Sequence, residues 1–227
     1  GSSARWNGSG LTTRFVSATQ LQADLSTSEV SAPGASTITV NDPFGNAGVS
    51  SVPFTVDADE TPPVVTAPGS TTAIQSMCSG GNGGTDAASD PAIAAFLAGG
   101  TGADECSAST THLVAQVGGA DVTATTFFPA GTTSVAFRFS DASGNVGSAT
   151  SNLTVRLFGD LNLDGVADAS DLVIFSNYVV HNLNAGTPPF LAPAAMADLN
   201  GDGFGDSLDL VILSNYAVHN IPCLPQP

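Results

Sequence analysis

DLNLDGVADASD at residues 160–171 returns as DLNGDGFGDSLD at residues 198–209, so one short acidic motif occurs twice. Both copies carry oxygen-bearing side chains at positions 1, 3, 5, 9 and 12, and a glycine at position 6, where the chain must turn sharply. Calcium is a hard cation that takes roughly six to eight oxygen ligands, and a tight loop delivers them from alternate positions. The repeated motif therefore predicts two calcium loops.

The predicted ligands follow from the loop positions. Position 7 adds a backbone carbonyl, and position 9 acts directly or through a water. Position 12 is Asp rather than the longer Glu, so bidentate ligation there requires the helix start to lie closer to the ion. The predicted ligand set is Asp160, Asn162, Asp164, Val166, Asp168 and Asp171 in the first loop, and Asp198, Asn200, Asp202, Phe204, Asp206 and Asp209 in the second.

Two calcium ions are therefore the predicted cofactors of this segment. Four carboxylates crowd each loop and repel one another without an ion, so ion binding should be coupled to folding. Magnesium fits less well because it demands a smaller octahedral shell and gives up its water reluctantly. Asp-rich turns without metal are the alternative, but two copies in register make coincidence a poor explanation.

An amphipathic helix is expected after each loop. The two apolar stripes are Leu172, Phe175, Val179 and Leu183 after the first loop, and Leu210, Leu213, Ala217 and Ile221 after the second. This spacing places each set on one helix face, so we expect the two helices to pack against each other. Pro188, Pro189 and Pro193 precede the second loop, which argues against a regular entering helix.

The residues upstream of the repeat carry the pattern of β-strands. Residues 52–56 and 134–139 alternate large apolar side chains with small or polar ones, and Gly, Pro, Asn and Asp separate such runs. A period of two is typical of strands in a β-sandwich. One helix is expected at residues 92–98, because Asp90 can cap it and Pro91 suits its first position.

We predict a mainly β fold with a small α-helical C-terminal domain. The predicted segments are residues 1–57 as a partial sandwich, residues 58–157 as a second sandwich with a short helix, and residues 158–227 as the duplicated loop-helix module. The first is short for the roughly seven strands of a complete sandwich. A neighbouring chain could supply a strand to its open edge.

An acidic linker falls between the two predicted sandwiches. Asp57, Asp59 and Glu60 lie close together there, and prolines follow them. Carboxylate oxygens are the ligands that calcium prefers. These side chains could hold a third calcium ion, or they could form a solvated linker.

The overall charge limits the possible partners. Asp and Glu number 20 against 4 Lys and Arg, which gives a formal net charge of −16. Such a chain repels nucleic acid and anionic lipid, and it suits a cation or a basic partner. No apolar run approaches the roughly 20 residues of a membrane span. We therefore expect no nucleic-acid partner and no membrane insertion.

The three cysteines are Cys78, Cys106 and Cys223. Lysine is absent and small or β-branched residues are abundant, which favours a secreted protein, and disulfides form in such oxidising surroundings. Cys78 and Cys106 flank the predicted helix, so we expect a disulfide between them. Two reduced buried thiols are the alternative, and Cys223 is left over.

A duplicated calcium loop with an exit helix and no entering helix resembles the type I dockerin module. The resemblance covers about residues 159–221, through GDLN at 159–162, DG at 164–165 and DL at 171–172, repeated as DLN at 198–200, DG at 202–203 and DL at 209–210. It implies calcium-dependent binding of a cohesin-like protein through helix faces just after the loops. The near-identity of the two halves suits the dual, rotated binding known in that family.

The resemblance also implies which residues contact the partner. They are Ala169, Ser170, Ser176, Asn177 and His181 in the first half, and Ser207, Leu208, Ser214, Asn215 and His219 in the second. The set holds no Lys, Arg, Asp or Glu. We therefore expect an apolar and hydrogen-bonded contact with weak salt dependence.

The upstream segments resemble two kinds of immunoglobulin-like domain. RWNG at residues 5–8, FVS at 15–17 and FTV at 54–56 are similar to the later strands of an IPT/TIG domain. TPPV at residues 61–64, DEC at 104–106, FPAGTT at 128–133 and DASGN at 141–145 resemble a hyalin-repeat (HYR) domain. Both resemblances imply spacers or stalks of secreted bacterial proteins, extracellular or at the cell surface.

No catalytic constellation stands out in the sequence. There is no lysine and no glycine-rich phosphate loop, and many of the carboxylates lie in the calcium loops. We therefore expect a non-catalytic chain whose leading function is calcium-dependent protein binding. One alternative is a structural stalk or self-assembling fibre subunit, in which calcium stabilises contacts with a neighbouring subunit. Another is the tail of a polysaccharide-degrading enzyme.

Overall fold

The computed structural model describes residues 1–42, 44, 50–79, 81–181, 183–219 and 223–224. The fold is mainly β, with a helical region near the C-terminus, as the sequence predicts. Two compact units divide the chain, Gly1–Thr61 and Pro62–Pro227. None of the helices in the described part of the chain is long and apolar enough to cross a membrane.

The first unit consists of a four-stranded antiparallel sheet and a separate hairpin. Its strands are β1 (Ser3–Trp6), β2 (Ser9–Gly10), β3 (Thr13–Ser17), β4 (Gln20–Ala23), β5 (Gly34–Asn41) and β6 (Ser50–Val56). The sheet has the order β2-β1-β5-β6, and β3 pairs with β4. Among the described residues of this unit, the buried apolar side chains are Ala4 and Trp6, and the Trp6 ring packs edge-on against Phe54.

The second unit begins with a larger set of strands. They are β7 (Val64–Thr66), β8 (Thr71–Ile74), β9 (Met77–Ser79), β10 (Asn82–Thr85), β11 (Thr101–Ala103), β12 (Thr111–His112), β13 (Gln116–Val117), β14 (Ala120–Asp121), β15 (Phe128–Pro129), β16 (Gly131–Ser140) and β17 (Val146–Arg156). The main sheet has the order β14-β13-β16-β17-β8, with β12 also on β16, and β17 pairs with β8 in parallel. Smaller sheets are β15-β10-β9 and β11-β7.

The core of this β region follows the alternation seen in the sequence. Val135 and Phe137 from β16 and Leu153 and Val155 from β17 are almost fully buried. Helix α1 (Pro91–Leu97) packs on them through Ile93 and Phe96. Asp90 caps α1 by accepting a hydrogen bond from the Ala92 N–H at 2.8 Å, and Pro91 lies in the first turn, so the predicted helix is confirmed.

The helical region follows β17 directly. It contains α2 (Ala169–Val179), a 3₁₀ helix (Ala194–Ala197) and α3 (Ser207–Ala217). Phe175 from α2 and Leu213 from α3 are fully buried in one core, which also contains Phe190 and Met196. Leu172, Val179, Leu183 and Leu210 pack partly buried against this core, so the predicted contact between the two helices is confirmed. Ile221, on the second predicted stripe, lies outside the described residues.

The cysteine pairing differs from the prediction. Cys78 forms a disulfide with Cys223, with their Cα atoms 6.2 Å apart, so the predicted Cys78–Cys106 bond is wrong. Strand β9 places Cys78 beside the C-terminal tail, where its sulfur lies 3.4 Å from the Leu224 carbonyl oxygen. Cys106 instead lies exposed in the turn after β11. Nearness in sequence to the helix did not determine nearness in space.

Candidate calcium loops and the adjoining helix surface

Each acidic loop ends in a capping box that starts its helix. Asp168 accepts a hydrogen bond from the Ser170 N–H at 2.7 Å, and Asp171 accepts one from the Asp168 N–H at 2.9 Å. Asp206 and Asp209 repeat the arrangement before α3. Side chains that accept the first free N–H groups of a helix are a common way to begin one. Positions 9 and 12 therefore fix the helix start as well as offering oxygens to an ion.

The carboxylate at position 12 also ties the loop to its own beginning. Asp171 is fully buried, and its Oδ1 accepts the N–H groups of Leu161 at 2.7 Å and Asn162 at 3.1 Å. Asp209 does the same with Leu199 and Asn200. A carboxylate oxygen has two lone pairs, so Oδ1 is saturated and Oδ2 retains one. Oδ2 is therefore the oxygen of this side chain that keeps a lone pair for an ion.

The earlier ligand positions are held by backbone N–H groups of the same loop. Asp160 accepts hydrogen bonds from Asp164 at 3.1 Å and Gly165 at 3.0 Å. In the second loop Asp198 accepts them from Gly201 at 2.8 Å and Gly203 at 2.9 Å. The Asn at position 3 of each loop accepts the N–H of position 5, at 2.9 Å. Side-chain oxygens of positions 1 and 3 therefore turn toward the inside of each loop.

Two positions in each loop adopt left-handed backbone angles. Gly165 and Gly203 at position 6 have φ of 97° and 92°, as the sharp turn predicted there requires. Position 4 is also left-handed, with φ of 61° at Leu163 and 77° at Gly201. The left-handed angle at position 4 was not predicted, because Leu163 gives no sequence signal of a positive φ.

Carboxylates converge in the second loop. Asp198, Asp202 and Asp209 each place a carboxylate oxygen within 4.8 Å of the others. A cluster of oxygen donors with no nitrogen or sulfur is the chemistry that suits calcium. The residues at this site therefore fit the predicted ion.

The first loop is more deeply buried. Burial raises the pKa of Asp160, and the negative charges of Asp171 and Asp164 raise it further. Burial also raises the pKa of Asp171, with the Asp164 charge acting in the same direction. Backbone N–H groups oppose both shifts without cancelling them. The first loop therefore holds crowded negative charge, and a bound divalent ion would neutralise it.

A shallow groove runs between α2 and α3. Its lining is Leu172, Val173, Ser176, Leu210, Val211, Ser214 and Asn215. The predicted contact residues Ser176, Ser214 and Asn215 are therefore part of this groove. Val173 and Val211 are 62% and 58% exposed and occupy the same position in the two halves. This pair was not among the predicted contact residues, although both are repeated apolar residues that lie off the buried stripe.

The other predicted contact residues lie at the ends of the two helices. Ala169, Ser170, Ser207 and Leu208 are exposed in the first turns. His181 and His219 are exposed and end the helices with φ of 62° and 61°. Asn177 donates its side-chain N–H to the Val173 carbonyl at 2.9 Å, back onto its own helix. The polar side chains here are thus partly engaged with the helix backbone, and exposed apolar groups lie among them.

The acidic linker shows no comparable loop. Asp59 accepts a hydrogen bond from the Thr61 N–H at 3.0 Å, and Asp57 and Glu60 are exposed. A third calcium ion near these residues stays a prediction.

A family model of the dockerin type I domain matches residues 158–217. The match takes in both acidic loops and both helices that follow them, and the chain thus carries a type I dockerin module near its C-terminus. Such modules are non-catalytic, bind calcium and bind cohesin domains, and they occur in extracellular proteins associated with cell surfaces. No curated protein matches the chain.

Proposed function

We propose that residues 158–227 bind a cohesin-like domain when both loops hold calcium, and that the residues before them are non-catalytic spacers of immunoglobulin type. The spacers would display the module on a secreted bacterial protein, outside the cell. The observation that carries this proposal is the exposed apolar groove between α2 and α3, directly after two loops whose donors fit calcium. Exposed apolar patches of this kind mark protein-binding surfaces.

The internal repeat makes this surface nearly symmetrical. Val173 and Val211 flank the groove with almost equal exposure, and Val180 and Val218 are each 61% exposed beyond it. A partner that recognises one orientation would therefore meet similar chemistry after the module is rotated by half a turn. This equality supports binding in either orientation.

The loops couple calcium to this surface through position 12. The Asp171 carboxylate joins the loop start to the first turn of α2, and Asp209 does so for α3. Bound calcium would neutralise the crowded carboxylates of each loop. With that repulsion reduced, the capping boxes hold both helices in the orientation that forms the groove.

A binding experiment tests the proposal with matched variants. The full chain is titrated with a panel of cohesin domains by calorimetry, in calcium and in EDTA. The combination of Val173→Asp and Val211→Asp should weaken binding at least about 30-fold, since central apolar contacts carry most interface energy. Leu191→Asp is the control, because Leu191 is exposed in the same module but outside the groove.

Calcium affinity should be the same in the double variant and the control. Binding that survives EDTA, or a double variant that binds every cohesin as the parent chain does, would overturn the proposal.

The first unit favours a second candidate function, assembly with a neighbouring subunit. Phe15 is 71% exposed and Val52 is 56% exposed, while the described part of this unit buries few apolar side chains. Large exposed apolar side chains over so small a core are typical of a unit that another protein covers. In this second candidate function, the chain is a stalk or fibre subunit and calcium stabilises its contacts with a neighbouring subunit.

Sedimentation velocity in calcium tests this second function. Self-association of the full chain is expected, and Val52→Lys should abolish it. Val114→Lys is the control, since Val114 is similarly exposed at 54% but belongs to the second unit. A parent chain that stays monomeric at high concentration would exclude assembly through this surface.

A further inference from the structure

We infer that the β region of the second unit clamps the first calcium loop, so that the two loops differ in how their calcium affinity is maintained. The clamp consists of the Cys78–Cys223 disulfide, the Gln75 side chain and Leu224. The inference rests on the proposed calcium function and adds to it a role for residues outside both loops. It makes Gln75 and the disulfide positioning groups for the first site.

Gln75 is the centre of the clamp. Its side chain is 3% exposed, and its Nε2 lies 3.5 Å from the Cys78 sulfur and 3.3 Å from the Cys223 sulfur. Its Oε1 accepts the N–H of Phe158 at 3.4 Å. One buried amide thus links the disulfide to the residue two positions before Asp160, the first ligand of the first loop.

The C-terminal tail packs against the chain just before Asp160. Leu224 is 2% exposed, and a Cβ placed on Gly159 would lie 3.0 Å from its Cδ1 and 2.8 Å from Cδ1 of Leu213. The disulfide at Cys223 is adjacent to Leu224 and holds this tail against strand β9. The chain just before Asp160 is therefore enclosed by the β region, the tail and α3.

The second loop begins without a link to the disulfide among the described residues, although Ala197 and Leu199 beside Asp198 are fully buried. The Asp198 N–H donates to the Ala195 carbonyl just as the Asp160 N–H donates to the Leu157 carbonyl, so this bond is common to both loops. Asp198 is half-buried, whereas its counterpart Asp160 is 3% exposed. The clamp therefore contacts the start of the first loop directly, whereas the start of the second loop meets the first through the Gly159 N–H, which donates to the Met196 carbonyl at 2.9 Å.

Positioning of this kind affects metal affinity through pre-organisation. A loop whose first ligand is already fixed loses less conformational freedom when it closes on an ion. Groups that orient metal ligands from outside the coordination shell typically change affinity about 10- to 100-fold when they are removed. Loss of the clamp should therefore weaken the first site and leave the second nearly unchanged.

Calcium titration of the full chain can separate the two sites. Asp202→Asn disables the second loop so that the first is measured, and Asp164→Asn does the reverse. Each is combined with Cys78→Ser and Cys223→Ser together, or with Gln75→Met, which keeps the volume but loses the amide. Cys106→Ser is the matched control, because it removes a thiol and keeps the disulfide.

The expected result is an affinity at least about 10-fold weaker for the first loop in both clamp variants, and under about twofold weaker for the second. Equal losses at both loops, or no loss at the first, would overturn the inference. Absence of calcium binding at either loop of the parent chain would instead remove the proposed function itself.

A second measurement keeps the inference testable if the cysteine variant does not fold. Hydrogen exchange of the unaltered chain in EDTA compares two equivalent amides, Leu161 and Leu199, each of which donates to the position-12 carboxylate. Leu161 should exchange more slowly, because the clamp holds its loop without an ion. Equal or faster exchange at Leu161 would contradict a clamp.

Discussion

Gly159 shows how much a single residue contributes to the start of the first loop. It has a φ of 77°, and a Cβ added there would lie 2.8 Å from Leu213 Cδ1 and 3.0 Å from Leu224 Cδ1, closer than van der Waals contact. Any side chain there meets two separate costs, a left-handed backbone and crowding in a closed core. Gly186 has the same φ of 77° but nothing within 4 Å of the place where a Cβ would stand. Alanine substitutions at Gly159 and Gly186 therefore separate the cost of the left-handed backbone from the cost of crowding.

Gly159→Ala should lower the free energy of unfolding of the calcium-loaded chain by about 3 kcal/mol, of which crowding accounts for roughly two thirds. Gly186→Ala should lower it by about 1 kcal/mol, since only the backbone cost applies. Chemical denaturation of both variants measures the difference. Equal losses would mean that Leu213 and Leu224 yield to the added methyl group.

At the scale of the loop, the predicted ligand residues also hold the loop and its helix start together. Asp168 caps α2, and Asp171 both completes that cap and holds the loop start. In the first loop, burial raises the pKa of Asp160 and Asp171, and the Asp164 charge adds to both shifts. A raised carboxyl pKa in the folded state means that the unfolded chain loses its proton first as pH rises.

The stability of the calcium-free chain should therefore fall as pH rises through the raised pKa values of Asp160 and Asp171. Their contribution is fully present below the ordinary carboxyl range and is lost above it. With excess calcium this dependence should reverse, because the ion binds deprotonated carboxylates. Denaturant titrations across a pH series, in EDTA and in calcium, measure both trends. Asp160→Asn should flatten the EDTA curve, because it removes one of the two carboxyls whose pKa burial raises, and an unchanged slope in that variant would contradict the assignment to this loop.

At the scale of the whole molecule, the sequence predicted the repeated loops and the alternating strands, but it did not predict which distant residues pair. The loops could be predicted because all predicted ligand positions of each lie within one short stretch, and β16 because Val135 and Phe137 alternate with small or polar residues. The Cys78–Cys223 disulfide spans a sequence separation of 145, and only the packing of the tail on β9 brings its ends together. The exposure of Val173 and Val211 follows from the predicted buried stripe, but the groove that they line with residues of the facing helix became visible only in the structure.

The same long-range contacts make the β region and the calcium module one compact unit, Pro62–Pro227. The Gln75–Phe158 hydrogen bond and the disulfide join the β region to the calcium module. Ile74 of β8 also packs against the helical core. We therefore expect the fragment 62–227 in calcium to unfold in a single transition, with helical and strand signals melting together. Replacing Cys78 and Cys223 by Ser should split the melt, because it removes a cross-link of the kind that contributes about 2–4 kcal/mol. Separate transitions in the unaltered fragment, followed by circular dichroism and calorimetry, would show that the two parts fold independently despite these contacts.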